Sequence, residues 1–290
     1  MSTVYLNGRY LPKEEALIPV DDRGFLLADG IYEVAPSYGG RLFRLAQHVA
    51  RMQRGLGEIR IAFEATALGE IGARLIVENG LQEEETALVY MQVTRGVAPR
   101  THHFPPGRVE PTVYAFAKLF ERPGREEWEQ GFAAVTVPDR RWARVDIKSI
   151  ALLPNVLAQQ AAVEAGASDA VLVRDGIAIE GAHSNFFAVL DGTLVTHPRT
   201  NAILHGITRG FVLELARSLG IPVEERPIQL EELRDAEEAF FSGTTTEIRP
   251  TARIDGRPVG DGRTGPVARR LFEAFLEGVR AETGAGVVPA

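Results

Sequence analysis

The sequence predicts an α+β chain, and three observations carry that expectation. Strand-like and helix-like runs are mixed in both halves without the strict alternation of a doubly wound sheet. Asn7-Gly8, Asp175-Gly176, Asp191-Gly192 and Asp255-Gly256 each separate short apolar runs, which is the pattern of tight turns between strands. Glu121-Arg122-Pro123-Gly124-Arg125 is a charged Pro-Gly stretch between apolar segments, so the expected organisation is a domain over 1–120, a linker over 121–131 and a second domain over 132–290.

Taken in order, Val4-Tyr5-Leu6 and Arg9-Tyr10-Leu11 flank Asn7-Gly8 and open the chain as a hairpin. A loop punctuated by Asp21-Asp22-Arg23-Gly24 and Asp29-Gly30 leads into a strand at 31–35, with a short partner at 41–43 after Gly39-Gly40. The segments 45–59 and 65–77 read as helices, the second with Leu68, Ile71, Leu75 and Ile76 at helical spacing and a stop at Asn79-Gly80. Strands follow at 87–94 and 112–117, separated by a long polar loop over 95–111, a length more often functional than idle. In the second half, strands are expected at 132–137, 146–153, 169–173, 177–180, 185–190, 194–196, 222–227 and 239–241. Helices are expected at 155–165, closed by Gly166, at 207–219, closed by Gly220, and at 266–280, with a frayed Gly/Pro-bearing tail after Glu282.

Composition narrows the functions. Apolar residues make up 45% and charged residues 24%, ordinary for a soluble globular protein. A net charge of -7 with no basic cluster argues against a nucleic-acid partner and for a small molecule. The absence of cysteine excludes disulfides, a thiol nucleophile and Cys-ligated metals and fits a cytoplasmic location. The N-terminal residues carry no signal-peptide pattern, and no apolar run is long enough to span a bilayer. Neither His205-Gly206-Ile207-Thr208-Arg209 nor Ser242-Gly243-Thr244-Thr245-Thr246 resembles G-x-G-x-x-G or G-x-x-x-x-G-K-[ST], no two of the six histidines form H-x-x-x-H, and neither Ser149 nor Ser184 sits in G-x-S-x-G.

The stretch that stands out is Asp146-Ile147-Lys148-Ser149-Ile150-Ala151-Leu152-Leu153, a lysine inside an apolar run. Lys+Arg total 32, yet lysine occurs only at Lys13, Lys118 and Lys148. Arginine cannot release its proton, whereas a lysine can, and burial favours the neutral amine that attacks a carbonyl. From position alone the alternative is a lysine snorkelling from a strand end. Four other groups can be read either as chemistry or as ordinary structure. His205-Gly206-Ile207-Thr208-Arg209 places backbone N–H groups and a hydroxyl at a helix start, an anion site in outline or a simple cap. Ser242-Gly243-Thr244-Thr245-Thr246 offers a second cluster of small hydroxyls after a strand, and Glu180-Gly181 ends an apolar strand with a carboxylate. Arg100-Thr101-His102 in the long loop is either solvated or a grip for a carboxylate.

Together these pieces resemble the class IV, or fold type IV, pyridoxal-phosphate aminotransferases, and within them the D-amino-acid (D-alanine) aminotransferases. The matching residues run in order: Asp22-Arg23-Gly24, Asp29-Gly30, Tyr32-Glu33-Val34, His48 with Arg51, Gln92-Val93-Thr94-Arg95-Gly96, Arg100-x-His102-x-Phe104-Pro105, Arg141-Trp142-x-Arg144-x-Asp146-Ile147-Lys148-Ser149, Glu180-Gly181-x-x-Ser184-Asn185, Thr196-His197-Pro198, Gly206-Ile207-Thr208-Arg209, and Thr244-Thr245 with Glu247-Ile248. They span almost the whole chain.

The resemblance implies two α/β domains with the active site at the domain and subunit interface, the C-terminal domain carrying the lysine. It implies Lys148 as the Schiff-base lysine and the acid/base that moves the proton between Cα and the cofactor's C4′. Glu180 is then the partner of the pyridine nitrogen, while Arg51, Ile207, Thr208 and Thr244 hold the phosphate of pyridoxal 5′-phosphate and Leu204 packs on its ring. Tyr32, Arg100 and His102 receive the substrate α-carboxylate, the last two reaching the neighbouring subunit's site in a homodimer. The implied reaction is ping-pong transamination between a D-amino acid, of the D-alanine or D-glutamate type, and a 2-oxo acid. Branched-chain L-amino-acid aminotransferase, (R)-amine transaminase and aminodeoxychorismate lyase share the scaffold, and a Lys/Ser hydrolase or a cofactor-free binding protein is the alternative from another class. One departure stands out: Gly181-Ala182-His183-Ser184 replaces the run of serines found after the glutamate in the D-amino-acid enzymes.

Overall fold

The structure, a computed structural model, describes residues 2–287, and by packing they form two units: 2–121 with 147–151 and 279–287, and 122–146 with 152–278. The first holds β1 (Thr3–Leu6), β2 (Arg9–Pro12), α1 (Arg23–Leu27), β3 (Gly30–Tyr38), β4 (Arg41–Leu42), α2 (Leu45–Glu58), α3 (Ala67–Glu78), β5 (Ala87–Thr94) and β6 (Thr112–Leu119). Its strands form one antiparallel sheet in the order β2-β1-β6-β5-β3-β4. Asn7 and Gly8 turn the first hairpin with φ of 47° and 87°, a conformation that asparagine and glycine tolerate. Helices α2 and α3 cover the sheet because Met52, Leu56, Leu68, Ile71 and Leu75 meet Val89, Met91 and Val93 in one core. Each such leucine contributes about 1.5–3 kcal/mol by leaving water.

The second unit holds α4 (Arg125–Gln130), β7 (Phe132–Pro138), α5 (Leu153–Glu164), β8 (Asp169–Arg174), β9 (Ile177–Gly181), β10 (Asn185–Leu190), β11 (Thr193–Thr196), α6 (Ile207–Ser218), β12 (Val223–Glu225), β13 (Ile228–Gln229), β14 (Glu238–Gly243), β15 (Glu247–Ile254) and β16 (Arg257–Pro258). The strand order is β12-β11-β10-β14-β15-β7-β8-β9-β13, with β16 on β15. Pairings β15 with β7, β7 with β8 and β11 with β12 are parallel, the others antiparallel, which is the mixed sheet an α+β chain leads one to expect. Phe186, Ala188 and Phe241 fill one core, and α5 packs through Ala158 and Ala162 on Ala170 and Leu172. The last helix is α7 (Pro266–Thr283).

Four expectations need correction. Residues 146–153 are not a strand: Ser149 N–H bonds the carbonyl of Ile147 at 2.7 Å, a tight turn, and the segment makes a single bridge, Ile31 with Ser149. The same contacts, with Ile147 in the core of α2 and α3, group Lys148 with the first unit and not with 132–290. The expected linker contains α4, whose Trp128 is buried, donates Nε1–H to the carbonyl of Ile248 at 2.9 Å and stacks on Phe272 at 4.6 Å. The tail after Glu282 is held as far as it is described: Arg280 Nε donates to the carbonyl of Val287 at 2.7 Å, and Val287 is buried. Residues 288–290 lie outside the described part.

Candidate active site

Lys148 is presented by its neighbours. Tyr32 N–H bonds the Lys148 carbonyl at 3.0 Å and Ile150 N–H bonds the Gly30 carbonyl at 3.1 Å, so the segment is stitched to the start of β3 on both sides of the lysine. Its Nζ lies 4.1 Å from the centroid of the Tyr32 ring, and Tyr32 stacks on Tyr90, which stacks on Phe116. One residue further along β3, Glu33 is completely buried. Its carboxylate accepts from His48 Nδ1 at 3.0 Å, from Arg51 Nε at 2.9 Å and from Val34 N–H at 2.9 Å. Burial pushes that carboxyl up, but Arg51 and His48 more than reverse it and hold the group well below the usual carboxylate range. Burial holds His48 below the usual histidine range, with Arg51 and Lys148 adding to the effect against the pull of Glu33, so the imidazole is neutral at physiological pH. Tyr32, Arg51 and Lys148 are thus gathered round β3 and α2, with Glu33 fixing the guanidinium of Arg51.

The long loop after β5 is tied at its backbone and open at its tip. Arg95 grips Asp29 through Nε at 2.7 Å and Nη2 at 2.9 Å and lies 3.8 Å over the Phe104 ring. Arg23 also bonds Asp29, and its Nη1 donates to the carbonyl of Thr101 at 2.8 Å. On either side of Thr101, Arg100 and His102 are exposed. Arg23, Asp29 and Arg95 therefore hold in place a stretch on which Arg100 and His102 are exposed, a role that sequence spacing does not reveal.

In the second unit Glu180 ends β9 with its side chain buried. It accepts from Arg141, from Asn185 Nδ2 at 2.8 Å and from the Leu204 N–H at 3.1 Å. Burial pushes the carboxyl up to about 7 against the opposing pull of Arg141 and the Leu204 N–H, while Asp139 adds to the rise. Asn185 Nδ2 also donates to the Leu204 carbonyl at 2.8 Å, which fixes the turn from Leu204 to Gly206 and hence the start of α6. Gly206 is the N-cap, so no side chain closes the helix end over Ile207 and Thr208. Thr244 sits in the turn between β14 and β15. That turn neighbours the one after β9: a Cβ on Gly243 would lie 3.2 Å from Thr246 Oγ1 and 3.8 Å from the His183 carbonyl, and His183 itself is exposed. Glu180, Leu204, Ile207, Thr208 and Thr244 are thus carried by β9, the turn into α6, the first residues of α6 and the turn after β14.

The family profile described as Amino-transferase class IV matches residues 30–254. The chain belongs to that family. The D-alanine aminotransferase of Staphylococcus haemolyticus is 41% identical over 277 residues, 95% of this chain and 97% of that protein. Among solved structures, the branched-chain amino acid aminotransferase of Escherichia coli superposes with a TM-score of 0.88 at 29% identity, covering 95% of this chain and 94% of that one. The branched-chain aminotransferase of the thermophilic archaeon Thermoproteus uzoniensis, solved with norvaline, does so with a TM-score of 0.87 at 29% identity, over 98% and 96%. In this class IV aminotransferase, Gly206 is not replaceable at no cost. A Cβ there would collide with Asn185 Oδ1, so Gly206→Ala must push Asn185 off Glu180 and Leu204. Urea denaturation is expected to show a loss of about 1–3 kcal/mol; unchanged stability together with unchanged cofactor retention would contradict the assignment.

Proposed function

We propose that the chain is a D-amino-acid aminotransferase that exchanges an amino group between a D-amino acid and a 2-oxo acid in two half-reactions. The observation that carries the reading is the Arg100-x-His102 tip: a cation and an imidazole held out to solvent on a backbone that Arg23 ties down, suited to grip a carboxylate. The 41% identity to a D-alanine aminotransferase over 95% of the chain supports it. The close superposition on branched-chain enzymes reflects the shared scaffold, since those structures are only 29% identical.

The enzyme uses pyridoxal 5′-phosphate, and its residues fit that group. The glycine N-cap of α6 is a cradle that a Cβ would fill, and Glu180 is a buried carboxylate of raised basicity, as a protonated ring nitrogen requires. When bound, the cofactor supplies an aldehyde to exchange with the amino group and an electron-poor ring to take up the electron pair left at Cα. Lys148 is the amine that attaches it and then carries the proton between Cα and C4′. Glu180 holds the proton on the ring nitrogen, Leu204 lies against the ring face, and Arg51, Ile207, Thr208 and Thr244 hold the phosphate. Tyr32, Arg100 and His102 bind the substrate carboxylate. Arg100 and His102 serve the neighbouring subunit in a homodimer, an assembly supported by the exposed apolar residues Leu17 (80%), Phe25 (75%) and Leu153 (69%). Among the described residues no helix is long and apolar enough to cross a membrane, and no cluster of His, Cys, Asp and Glu is arranged to hold a metal.

Steady-state assays with paired D- and L-alanine and D- and L-glutamate test the reading. Activity with the D-series is expected, and activity confined to the L-series contradicts it. Arg100→Ala is expected to raise KM for the D-amino acid about 10–100-fold, the worth of one charged hydrogen bond, with a smaller change in kcat. An unchanged KM would remove Arg100 from the carboxylate grip.

A further inference from the structure

Behind Glu180 runs a line of charges of alternating sign, buried except at its far end, Arg174. Residue 139 follows the end of β7, and its N–H bonds the Val173 carbonyl at 2.8 Å, which stitches the loop to β8. The Asp139 side chain is wholly buried and accepts at both oxygens. Oδ1 takes Arg141 Nε at 2.9 Å and the Arg141 N–H at 3.0 Å, and Oδ2 takes Arg141 Nη2 at 3.0 Å and Arg174 Nη2 at 2.8 Å. Arg141, also buried, turns Nη1 to Glu180 and Nη2 toward the Ala202 carbonyl at 3.4 Å. The order is therefore Arg174, Asp139, Arg141, Glu180, closing at the carboxylate assigned above to the ring nitrogen.

We propose that Asp139 is a positioning residue for the transamination: it orients Arg141 toward Glu180 and balances its charge, so that Glu180 stays basic enough to keep a proton on its partner nitrogen. This rests on the role given to Glu180. A two-point grip fixes the guanidinium plane, which one contact to Glu180 would not. The balance matters as much. A buried arginine facing a carboxylate with nothing behind it favours the ionised carboxylate and weakens its hold on a shared proton, whereas an anion behind that arginine restores the hold. The charged groups around Glu180 are Arg141 and Asp139 from the loop after β7 and Arg209 from α6, with Arg174 of β8 behind Asp139; Asn185 and the Leu204 N–H face it without charge. Asp139 is the one anion among them.

The test is Asp139→Asn, which keeps the shape and removes the charge. In cofactor-free protein labelled with 13C at glutamate carboxyls, the Glu180 signal is identified by its loss in Glu180→Gln. Its titration midpoint is expected to fall by about one unit in Asp139→Asn, and an unmoved midpoint in the folded variant overturns the proposal. Arg174→Gln, at the more exposed end, removes a cation and is expected to move the midpoint up; it decides the matter if Asp139→Asn does not fold, and a midpoint that stays or falls overturns the proposal. A second readout uses protein loaded with cofactor labelled with 15N in the ring. Glu180→Gln is expected to remove the protonated-nitrogen signal and Asp139→Asn to lower its midpoint. If Glu180→Gln leaves that signal unchanged, the role of Glu180 fails, and the proposal with it, while the Asp139 coupling measured without cofactor still stands as a property of the fold. If only Asp139→Asn leaves it unchanged, the proposal alone fails.

Discussion

Lys148→Ala is expected to abolish measurable transamination, with kcat reduced about 10⁴-fold or more, in a protein that still folds and still takes up the cofactor through the proposed phosphate contacts. The size follows from two tasks resting on one amine. A positioned proton-transfer group is worth about 10²–10⁴-fold by itself, and loss of the attaching amine adds to that. The fold is expected to survive because the anchors of the segment are its backbone and its apolar neighbour: the Tyr32 to Lys148 and Ile150 to Gly30 hydrogen bonds and buried Ile147 do not involve the lysine side chain. Stopped-flow kinetics on the variant check this, and residual turnover within tenfold of the parent would assign the chemistry elsewhere. The other lysines, Lys13 and Lys118, then become the places to look.

Glu180→Gln is the second large effect. The amide keeps the size and the contact with the Leu204 N–H but cannot hold a proton on a neighbouring nitrogen, and a fall in kcat of about 10²–10³-fold is expected, as for loss of one preorganised electrostatic partner. The same variant has a signature without cofactor. Glu180 is pushed up to about 7 in the folded protein by burial, against about 4.3 in an unfolded chain. The folded state therefore binds the extra proton, and its stabilisation is complete below the unfolded value and lost as pH rises through the folded one. Between about pH 4.5 and 7 the cofactor-free parent is expected to lose on the order of 3 kcal/mol from this group, and Glu180→Gln should flatten that part of the profile. Parallel pH profiles of urea midpoints for the two proteins would contradict the shift.

Some of this is readable from residues alone and some is not. Asn7-Gly8, the spacing of Leu68, Ile71, Leu75 and Ile76, and the apolar runs on either side of Asp175-Gly176 and Asp191-Gly192 declare their elements locally, because hairpins and amphipathic helices are short-range patterns. The helices α1 and α4 escape notice because five or six residues complete too few turns for a period to register. Residues 146–153 mislead for a related reason. An apolar run looks like a strand, whereas here Ile147 enters a core by itself and the backbone turns at Ser149. Residue type and setting single out Lys148 and Glu180 as chemical candidates, and the family resemblance adds Tyr32 and Arg51. The sequence does not show what holds them, since Arg141 lies 39 residues from Glu180 and Arg23 lies 78 from Thr101. Such pairings arise only when β7, β8 and β9 align, or when the loop after β5 folds back on α1.

The most direct measurement is to load the protein with pyridoxal 5′-phosphate, reduce it with borohydride and map the modified peptide by mass spectrometry. One pyridoxyl group on Lys148 and none on Lys13 or Lys118 is the expected result. A protein that stays colourless, or that carries the label on another amine, would contradict the account.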